Sequence, residues 1–367
     1  MAEQLHKHQL LQRLYTGYAH QRNVLFRLAA GRVDKEEIPG SNIRTFLPWA
    51  IQTRLKWRDD YSRNSQFDDW VAAQLSKIDF SIFIGWASIS LSSIRAAHRL
   101  GKRTILERGS SHIEFQASIL QEEYNRVGLK FSIDQRVIEK ELQEYEETDF
   151  ISIPSQFVMK TFLDKGVSAT KLILNNYGSS QAFKPSGAST TNRPFRVLYM
   201  GTMSVRKGLV YLFEALVNLE AEHEAWFIGP MDPVVKDQFD RYKKSNWKYF
   251  GAVSHYELSN YINQCDVGVQ PSVEEGLSMV IPQMISCGIP VIASANSGGV
   301  DVIDEGKSGF VVPIRSSHAI LEKLTQLSTC PEYLARMKSY CRNSDDKRCQ
   351  GWNEYGDRYS RIITSLL

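Results

Sequence analysis

The sequence predicts an α/β protein built from two Rossmann-like, doubly wound domains that face a cleft. Short β-rich segments alternate with helical patterns along the chain, which is typical of parallel sheets made of βαβ units. The 367 residues exceed the roughly 250–300 at which a single hydrophobic core stops growing. Residues 184–194, rich in Pro, Ser and Thr, divide this alternation into two series and are typical of a linker.

The first series, residues 1–186, is expected to form an N-terminal domain. Its predicted strands cover residues 11–16, 43–48, 80–84, 103–107, 150–153 and 172–177, and its predicted helices cover 68–75, 92–100 and 133–147. The series opens on a helical segment, residues 2–8, whereas a doubly wound domain normally opens on a strand that becomes central in its sheet. The pattern therefore lacks a first strand: either the chain is truncated or the domain tolerates five or six strands.

The second series, residues 187–345, is expected to form a C-terminal domain. Its predicted strands cover residues 195–200, 225–228, 249–250, 267–271, 290–293 and 310–312, and its predicted helices cover 209–219, 256–264 and 279–286. Three loops that follow strand ends are rich in glycine and polar residues. Open α/β sheets bind ligands outside the carboxyl ends of their strands, so these loops form the candidate site.

The first of these loops combines glycine with two cations. It runs from Gly201 through Arg206 and Lys207 to Gly208, where a helix is predicted to begin. Small residues let a ligand approach the backbone, helix N-termini favour anions, and the cations can neutralise a diphosphate. The alternative is a solvated turn that holds two basic residues. The spacing of a P-loop is absent.

The second loop presents two adjacent glutamates, Glu274 and Glu275, followed by Gly276 and Ser278 at a predicted helix start. Open backbone amides at that start would favour an anion. Gln283 lies eight residues after Glu275, so both side chains can point into one cleft. Carboxylates and amides suit ligands rich in hydroxyl groups. Taken alone, the two glutamates are more typical of surface charges.

The third loop contains Gly298 and Gly299 after the predicted strand 290–293, where the backbone can again approach a ligand. It is the coincidence of three such loops at strand ends, more than any one of them, that favours a binding cleft.

Residues 195–313 resemble the donor domain of family-4 glycosyltransferases of group 1 type, which are retaining enzymes of the GT-B fold. The resemblance is carried in order by G-T-M-S-V-R-K-G, F-G-A-V-S-H-Y-E-L-S-N-Y, C-D-V-G-V-Q-P-S-V-E-E-G, G-I-P-V-I-A-S and S-G-G-V-D-V-I. The first half matches more loosely, through F-D-D-W-V, R-T-I-L-E-R-G-S-S-H and P-S-Q-F-V-M-K-T-F-L-D-K-G-V. The ending, G-W-N-E-Y-G-D-R-Y, resembles a helix that returns to the first domain, which we expect of residues 346–367.

The resemblance implies that residues 1–186 bind the acceptor and residues 187–345 the donor, and it implies a role for each matching residue. Those implied to bind the donor are Gly201, Arg206, Lys207, Gly276, Ser278, Met279, Gln283, Gly298 and Gly299. Those implied to be catalytic are Lys207 at the diphosphate, Glu275 at the transferred sugar and His112 near that sugar. The family has a glutamate for the ribose hydroxyls where Gln283 stands, which implies altered ribose binding, and often an arginine where Thr202 stands. A lone histidine such as His112 is also often a structural residue.

The implied substrates are a UDP- or GDP-linked sugar and a hydroxyl acceptor, either lipid-linked or a polysaccharide, with no other cofactor. No metal is expected, because the sequence has no DxD motif and Arg and Lys can replace a divalent ion as a charge clamp. Two other functions fit the same architecture: a non-catalytic GT-B protein that binds sugar nucleotides, and a non-hydrolysing sugar-nucleotide epimerase.

Composition excludes several classes of protein. With 43% hydrophobic and 23% charged residues the chain is typical of a globular domain, and its net charge of +3 is too small to indicate nucleic-acid binding. Its most apolar stretch, residues 80–94, is interrupted by Gly and Ser and is shorter than the about 20 residues that span a bilayer. The polar N-terminus lacks the apolar region of a secretory signal, so a cytoplasmic location is expected.

Residues 1–58 contain ten basic residues but only four acidic ones, so this segment carries a net positive charge. The basic residues are Lys7, Arg13, Arg22, Arg27, Arg32, Lys35, Arg44, Arg54, Lys56 and Arg58. Such a surface can contact anionic lipids peripherally at the inner membrane face, or it can be a solvated basic surface. The cysteines indicate neither a disulfide framework nor a zinc site, since they form no CxxC pair. They are Cys265, Cys287, Cys330, Cys341 and Cys349.

Overall fold

The computed structural model describes residues 1–19, 38–55, 57–186, 193–343 and 351–367. Part of the predicted linker and of the two predicted domain boundaries therefore lies outside the described residues. So do Arg22, Arg27, Arg32, Lys35, Lys56 and Cys349.

The first half forms two parallel sheets. Its strands are β1 (Leu14–Thr16), β2 (Ile43–Thr45), β3 (Ile82–Trp86), β4 (Arg103–Glu107), β5 (Phe150–Ile153) and β6 (Leu172–Leu174). Its helices are α1 (Ala2–Lys7), α2 (Leu47–Leu55), α3 (Asp60–Leu75), α4 (Leu91–Arg99), α5 (Ile113–Arg126), α6 (Gln135–Glu147) and α7 (Gln156–Leu163). Strands β3 to β6 pair in chain order, whereas β1 and β2 form a separate pair. Among the described residues no strand precedes α1.

The second half forms one six-stranded parallel sheet. Its strands are β7 (Phe195–Met200), β8 (His223–Ile228), β9 (Trp247–Gly251), β10 (Val267–Gln270), β11 (Val291–Ser294) and β12 (Gly309–Val312). Its helices are α8 (Leu209–Val217), α9 (Pro233–Tyr242), α10 (His255–Ile262), α11 (Val280–Ser286), α12 (Gly299–Val302), α13 (Ser317–Thr329), α14 (Pro331–Asn343) and α15 (Trp352–Leu366). The strand order is β9-β8-β7-β10-β11-β12, so the order reverses between β7 and β10. This is the doubly wound arrangement that the sequence predicts.

The central strands of this sheet are apolar on both faces because helices cover both. In β7, Val197 and Tyr199 join the core on one side of the sheet, and Leu198 and Met200 join the core on the other. Every residue of β10 and β11 is buried. Parallel strands that are covered on both faces are expected to be continuously apolar in this way.

The last helix, α15, packs on the first half of the chain. Tyr355, Tyr359 and Ile363 follow one another at four-residue spacing and bury the same face of the helix. They pack against Leu5 of α1 and Ile105 of β4. The helix therefore joins the end of the chain to the domain in which it begins.

Several predicted elements differ from the structure at their ends, and two of them have a clear local reason. Helix α3 begins at Asp60, eight residues before the predicted start, because the Asp59 side chain accepts a hydrogen bond from the Ser62 amide and caps the helix. The strand predicted at 43–48 ends at Thr45, and α2 begins at Leu47 with a proline next in the chain. Proline suits the first turn of a helix, which explains the early end of the strand.

Candidate active site

The loops after β7 and β10 lie side by side at the carboxyl edge of the six-stranded sheet. The Val273 amide of one loop donates to the Arg206 carbonyl of the other over 2.9 Å. Gly208 has a φ of +66°, and a Cβ at this position would lie 2.2 Å from the Pro271 carbonyl oxygen. Glycine is therefore required here both by the backbone conformation and by the close approach of the second loop.

Lys207 and Glu275 meet between these loops. The Lys207 ammonium lies 2.5 Å from a Glu275 carboxylate oxygen, and about a fifth of each side chain is exposed. Ser272 donates a hydrogen bond of 3.1 Å to the other oxygen of the same carboxylate. The structure thus brings together the cation predicted at the diphosphate and the carboxylate predicted at the sugar.

Glu274 points away from this pair and is completely buried between the two halves of the chain. Its carboxylate accepts hydrogen bonds from the Ser111 amide and hydroxyl at 3.1 and 2.6 Å and from the Gln116 amide group at 3.1 Å. Arg206 of the second half pairs with it at 2.8 Å and also donates to the Ser110 hydroxyl. Glu274 is therefore an anchor between the halves, and the interpretation of this residue as a surface charge is wrong.

Gly276 also touches the first half. Its carbonyl oxygen accepts a 2.6 Å hydrogen bond from the Ser155 hydroxyl. A Cβ at residue 276 would lie 1.8 Å from the Gly109 carbonyl oxygen. Only glycine permits this approach of two backbones across the cleft.

The amides before α11 are less open than the sequence suggests. The Ser278 amide donates to the Ser297 carbonyl over 2.9 Å, so the prediction that this amide is open is wrong. Met279 stands at the N-cap of α11, and Gln283 lies half-buried within the first turn and a half of that helix. The Ser278 amide, in the loop after β10, therefore serves to attach that loop to the loop after β11.

Glycines shape the remaining loops at this edge. Gly298 has a φ of +75° and packs so closely that a Cβ would lie 2.8 Å from the Gly276 carbonyl oxygen. Gly299 begins α12. Gly201 has a φ of +135° and its amide donates to the Ile228 carbonyl. All three loops are therefore held in the conformations that place them at one edge of the sheet.

Asp301, the aspartate of the S-G-G-V-D-V-I motif, makes contacts that the sequence did not predict. Both of its carboxylate oxygens accept hydrogen bonds from the Gln156 amide at the start of α7, and one also accepts from the Asn176 side chain. A carboxylate at the start of a helix is favourable because the helix N-terminus is electropositive. Asp301 therefore provides a further attachment between the halves.

His112 lies in the core of the first half. It caps α5, since its Nδ1 accepts a hydrogen bond from the Glu114 amide. Its ring packs against those of Tyr145 and Phe162, with centroids 5.1 and 5.0 Å away, and the residue is 3% exposed. Burial lowers the pKa of His112 to about 4. These contacts give His112 a structural role in the core of the first half. Its catalytic role stays a prediction.

Neither a metal centre nor a membrane span is found in the described ranges. No group of three or more His, Cys, Asp or Glu side chains there is placed to hold a metal ion. No helix in those ranges is both long enough and apolar enough to cross a bilayer.

Residues 182–344 match the family model described as glycosyl transferases group 1. Among curated proteins, the chain is 22% identical over 215 residues to a putative colanic acid biosynthesis glycosyltransferase of Salmonella typhimurium, covering 55% of this chain and 52% of the relative. It is 29% identical over 181 residues to the sulfoquinovosyl transferase of Arabidopsis thaliana, covering 46% of this chain and 35% of that protein. The chain thus spans about half the length, or less, of these relatives.

Solved structures match over nearly the whole chain. Sucrose-phosphate synthase of Thermosynechococcus elongatus superposes with a TM-score of 0.68 at 18% identity, covering 97% of this chain and 95% of that one. Anabaena HepE in complex with UDP and glucose superposes with a TM-score of 0.70 at 14% identity, covering 100% and 95%. The prediction of a GT-B fold is confirmed.

Proposed function

We propose that this protein is a glycosyltransferase that moves a sugar from a nucleoside-diphosphate sugar to a hydroxyl acceptor. The contact between Lys207 and Glu275, beside the point where the strand order reverses, carries the proposal. Open α/β sheets bind nucleotides in this crevice. A cation next to a carboxylate matches the two parts of such a donor, an anionic diphosphate and a sugar with free hydroxyls. The similarity of residues 182–344 to group 1 glycosyltransferases supports the same function.

Donor binding would exchange the partners of this ion pair. The diphosphate takes the place of Glu275 at the Lys207 ammonium, and the freed carboxylate accepts hydrogen bonds from the sugar hydroxyls. The acceptor oxygen then bonds to the anomeric carbon while the bond from that carbon to the diphosphate oxygen breaks, and the acceptor proton leaves with the nucleoside diphosphate. Lys207 stabilises the negative charge that develops on the departing phosphate.

Several finer features belong to the proposal. We expect family-4 chemistry, with transfer of a hexosyl group and retention of the anomeric configuration, because the motifs around Lys207 and Glu275 resemble that family. The positive charge of Lys207 can do the work of a divalent ion, which supports a metal-independent reaction. UDP- and GDP-sugars are the expected donors, and HepE was solved with UDP and glucose.

The acceptor is proposed to be a lipid-linked or polysaccharide precursor at the cytoplasmic membrane face. The similarity to a protein named for colanic acid biosynthesis supports a polysaccharide. The basic residues of the first 58 positions would favour an anionic surface.

A donor panel tests the function. UDP-, GDP- and ADP-sugars are incubated with the purified protein and polyprenyl-diphosphate-linked acceptor sugars, and release of nucleoside diphosphate is measured. We expect one donor class to be consumed with formation of a glycoside whose anomeric proton coupling shows retention. Binding without consumption would instead indicate a non-catalytic binder, and an epimerised sugar nucleotide would indicate an epimerase; either result overturns the proposal.

Variants of the proposed site provide the control for that panel. Glu275→Gln should abolish most of the turnover, because an amide accepts hydroxyl hydrogen bonds more weakly than a carboxylate does. Glu322→Gln, at an exposed ion pair on α13, should leave turnover unchanged.

A further inference from the structure

A cavity of about 700 Å³ lies in the first half of the chain, between β1 and β3. All three residues of β1 and all five residues of β3 contribute to its wall. The cavity therefore separates the edge of the two-stranded sheet from the edge of the four-stranded sheet. It lies apart from the Lys207–Glu275 site.

The cavity extends through the plane of the sheets. Its wall includes Leu5 of α1 and Ile363 of α15, which belong to the helix layer on one side. It also includes Phe67 and Val71 of α3, which belong to the layer on the other side. A pocket on one face of a sheet would touch only one of these layers. This cavity touches both layers, so it has the position that a strand between β1 and β3 would occupy.

The strands on either side each lack one neighbour. Within the described ranges β1 pairs only with β2, and β3 pairs only with β4. The backbone amides and carbonyls on their other edges therefore face the cavity from opposite sides. An unpaired edge of this kind is a ready template for another strand. In addition, the Nε of Arg13, a residue of the cavity wall, is buried without a hydrogen-bond partner.

We propose that this cavity is a binding site for an extended polypeptide strand, which pairs with β1 on one side and β3 on the other and joins the two sheets into one. An acyl chain of the same volume would fill the apolar space, but it would leave both backbone edges and the Arg13 nitrogen without partners. A strand supplies amides and carbonyls along both of its sides. The chemistry of the wall therefore selects a peptide over a lipid.

The geometry also defines the strand. Strand β3 is five residues long, so about five residues of the ligand would pair with it. Helices cover both faces, which requires apolar side chains on both faces of the bound strand. Such a segment is a run of Val, Ile and Leu without proline, since proline cannot donate to a ladder.

A tethered probe tests the site in the full-length chain. An octapeptide of sequence Thr-Val-Leu-Ile-Val-Ile-Gly-Ser is fused before Met1, which lies in the cavity wall, so that a short tether gives a high effective concentration. The control fusion carries proline at the third and fifth positions of the octapeptide. Hydrogen exchange of the β1 and β3 amides and the thermal midpoint are measured for both fusions and for the parent chain.

We expect the octapeptide to slow exchange of the Ile82–Trp86 amides about tenfold or more and to raise the thermal midpoint, and the proline control to do neither. Equal exchange in the two fusions would overturn the proposal. Decanoic acid added to the parent chain is the lipid probe. A thermal midpoint that rises with decanoic acid but not with the octapeptide would also overturn it. These outcomes do not depend on glycosyl transfer, so this site and the proposed function fail separately.

Discussion

The carboxylate of Glu274 accepts a 2.6 Å hydrogen bond from the hydroxyl of Ser111, a residue 163 positions earlier in the chain and in the other half of the molecule. Glu274 is the immediate neighbour of Glu275, so one side of this loop holds the two halves together while the other side faces Lys207. The closure of the cleft and the position of the candidate donor site are therefore set by the same loop.

Replacing Glu274 should weaken the attachment between the halves. Glu274→Gln removes the charge that Arg206 pairs with and weakens the bonds from Ser111, and we expect a loss of roughly 1.5–3 kcal/mol in the free energy of unfolding. Urea titration measures this loss, and small-angle scattering should show a larger radius of gyration. Glu275→Gln is the matched control and should cost less, because that side chain is partly exposed. Equal urea midpoints for Glu274→Gln and the parent chain would contradict the anchoring role.

Lys207→Ala should impair catalysis more than folding. The ammonium is expected to bind the donor diphosphate, and loss of one donor to a developing negative charge typically costs about 10²–10³ in kcat. Steady-state kinetics with the donor identified by the panel measures this effect. Lys236→Ala removes a lysine of an exposed ion pair on α9 and should leave kcat unchanged. If both variants turned over at the parent rate, Lys207 would not belong to the site.

The sequence predicted most of the strands because their chemistry is local. The segments 103–107, 150–153 and 195–200 form strands with the predicted bounds, since each is short and rich in β-branched or aromatic residues. The doubly wound order of the second half also follows from the alternation of elements. The sequence did not predict that β1 and β2 form a sheet of their own, separated from β3 by the cavity. The periodicity of a segment shows that it is a strand but does not show which strand it pairs with.

Side-chain direction in the loops could not be predicted in the same way. Glu274 and Glu275 have the same chemistry and adjacent positions, yet one is fully buried at the interface between the halves and the other lies beside Lys207. For His112, the resemblance implies a place near the sugar, and that role stays a prediction. The packing of its ring between Tyr145 and Phe162 is not visible in the loop sequence. Contacts with residues that are distant in the sequence decide both cases.

Gln283→Glu should strengthen donor binding. A carboxylate accepts hydrogen bonds from both hydroxyls of a ribose, and bonds to a charged acceptor exceed those to a neutral one by about 1 kcal/mol. We therefore expect KM for the donor to fall about fivefold with little change in kcat. Gln135→Glu, at an exposed position at the start of α6, is the matched control and should change neither constant. An unchanged or higher KM for Gln283→Glu would place the ribose elsewhere.

Glu107 should make stability depend on pH. Burial raises the pKa of Glu107 to about 7, against the opposing hydrogen bonds from Tyr359 and Ser152. The folded state therefore binds a proton that the unfolded state releases above pH 4.5, and the stability that this proton provides is lost as the pH rises through 7. Glu107→Gln has no carboxyl group to ionise, so the variant does not lose this stability. The free energy of unfolding of the variant minus that of the parent chain should therefore rise by roughly 1–3 kcal/mol between pH 5 and pH 8.

Urea midpoints at pH 5, 6, 7 and 8 measure that difference. Glu332→Gln, at an exposed position on α14, should show no such trend. A difference between Glu107→Gln and the parent chain that is constant with pH would show that Glu107 ionises normally in the folded state.

Hydrogen exchange with and without the sugar nucleotide that supports turnover tests the donor site most directly. The three loops at the carboxyl edge of β7, β10 and β11 are proposed to bind that ligand. We predict slower amide exchange at residues 201–208, 274–283 and 297–299 on ligand addition, and loss of this protection in Lys207→Ala. Protection confined to the first half of the chain, or unchanged by Lys207→Ala, would contradict the assignment of the donor site.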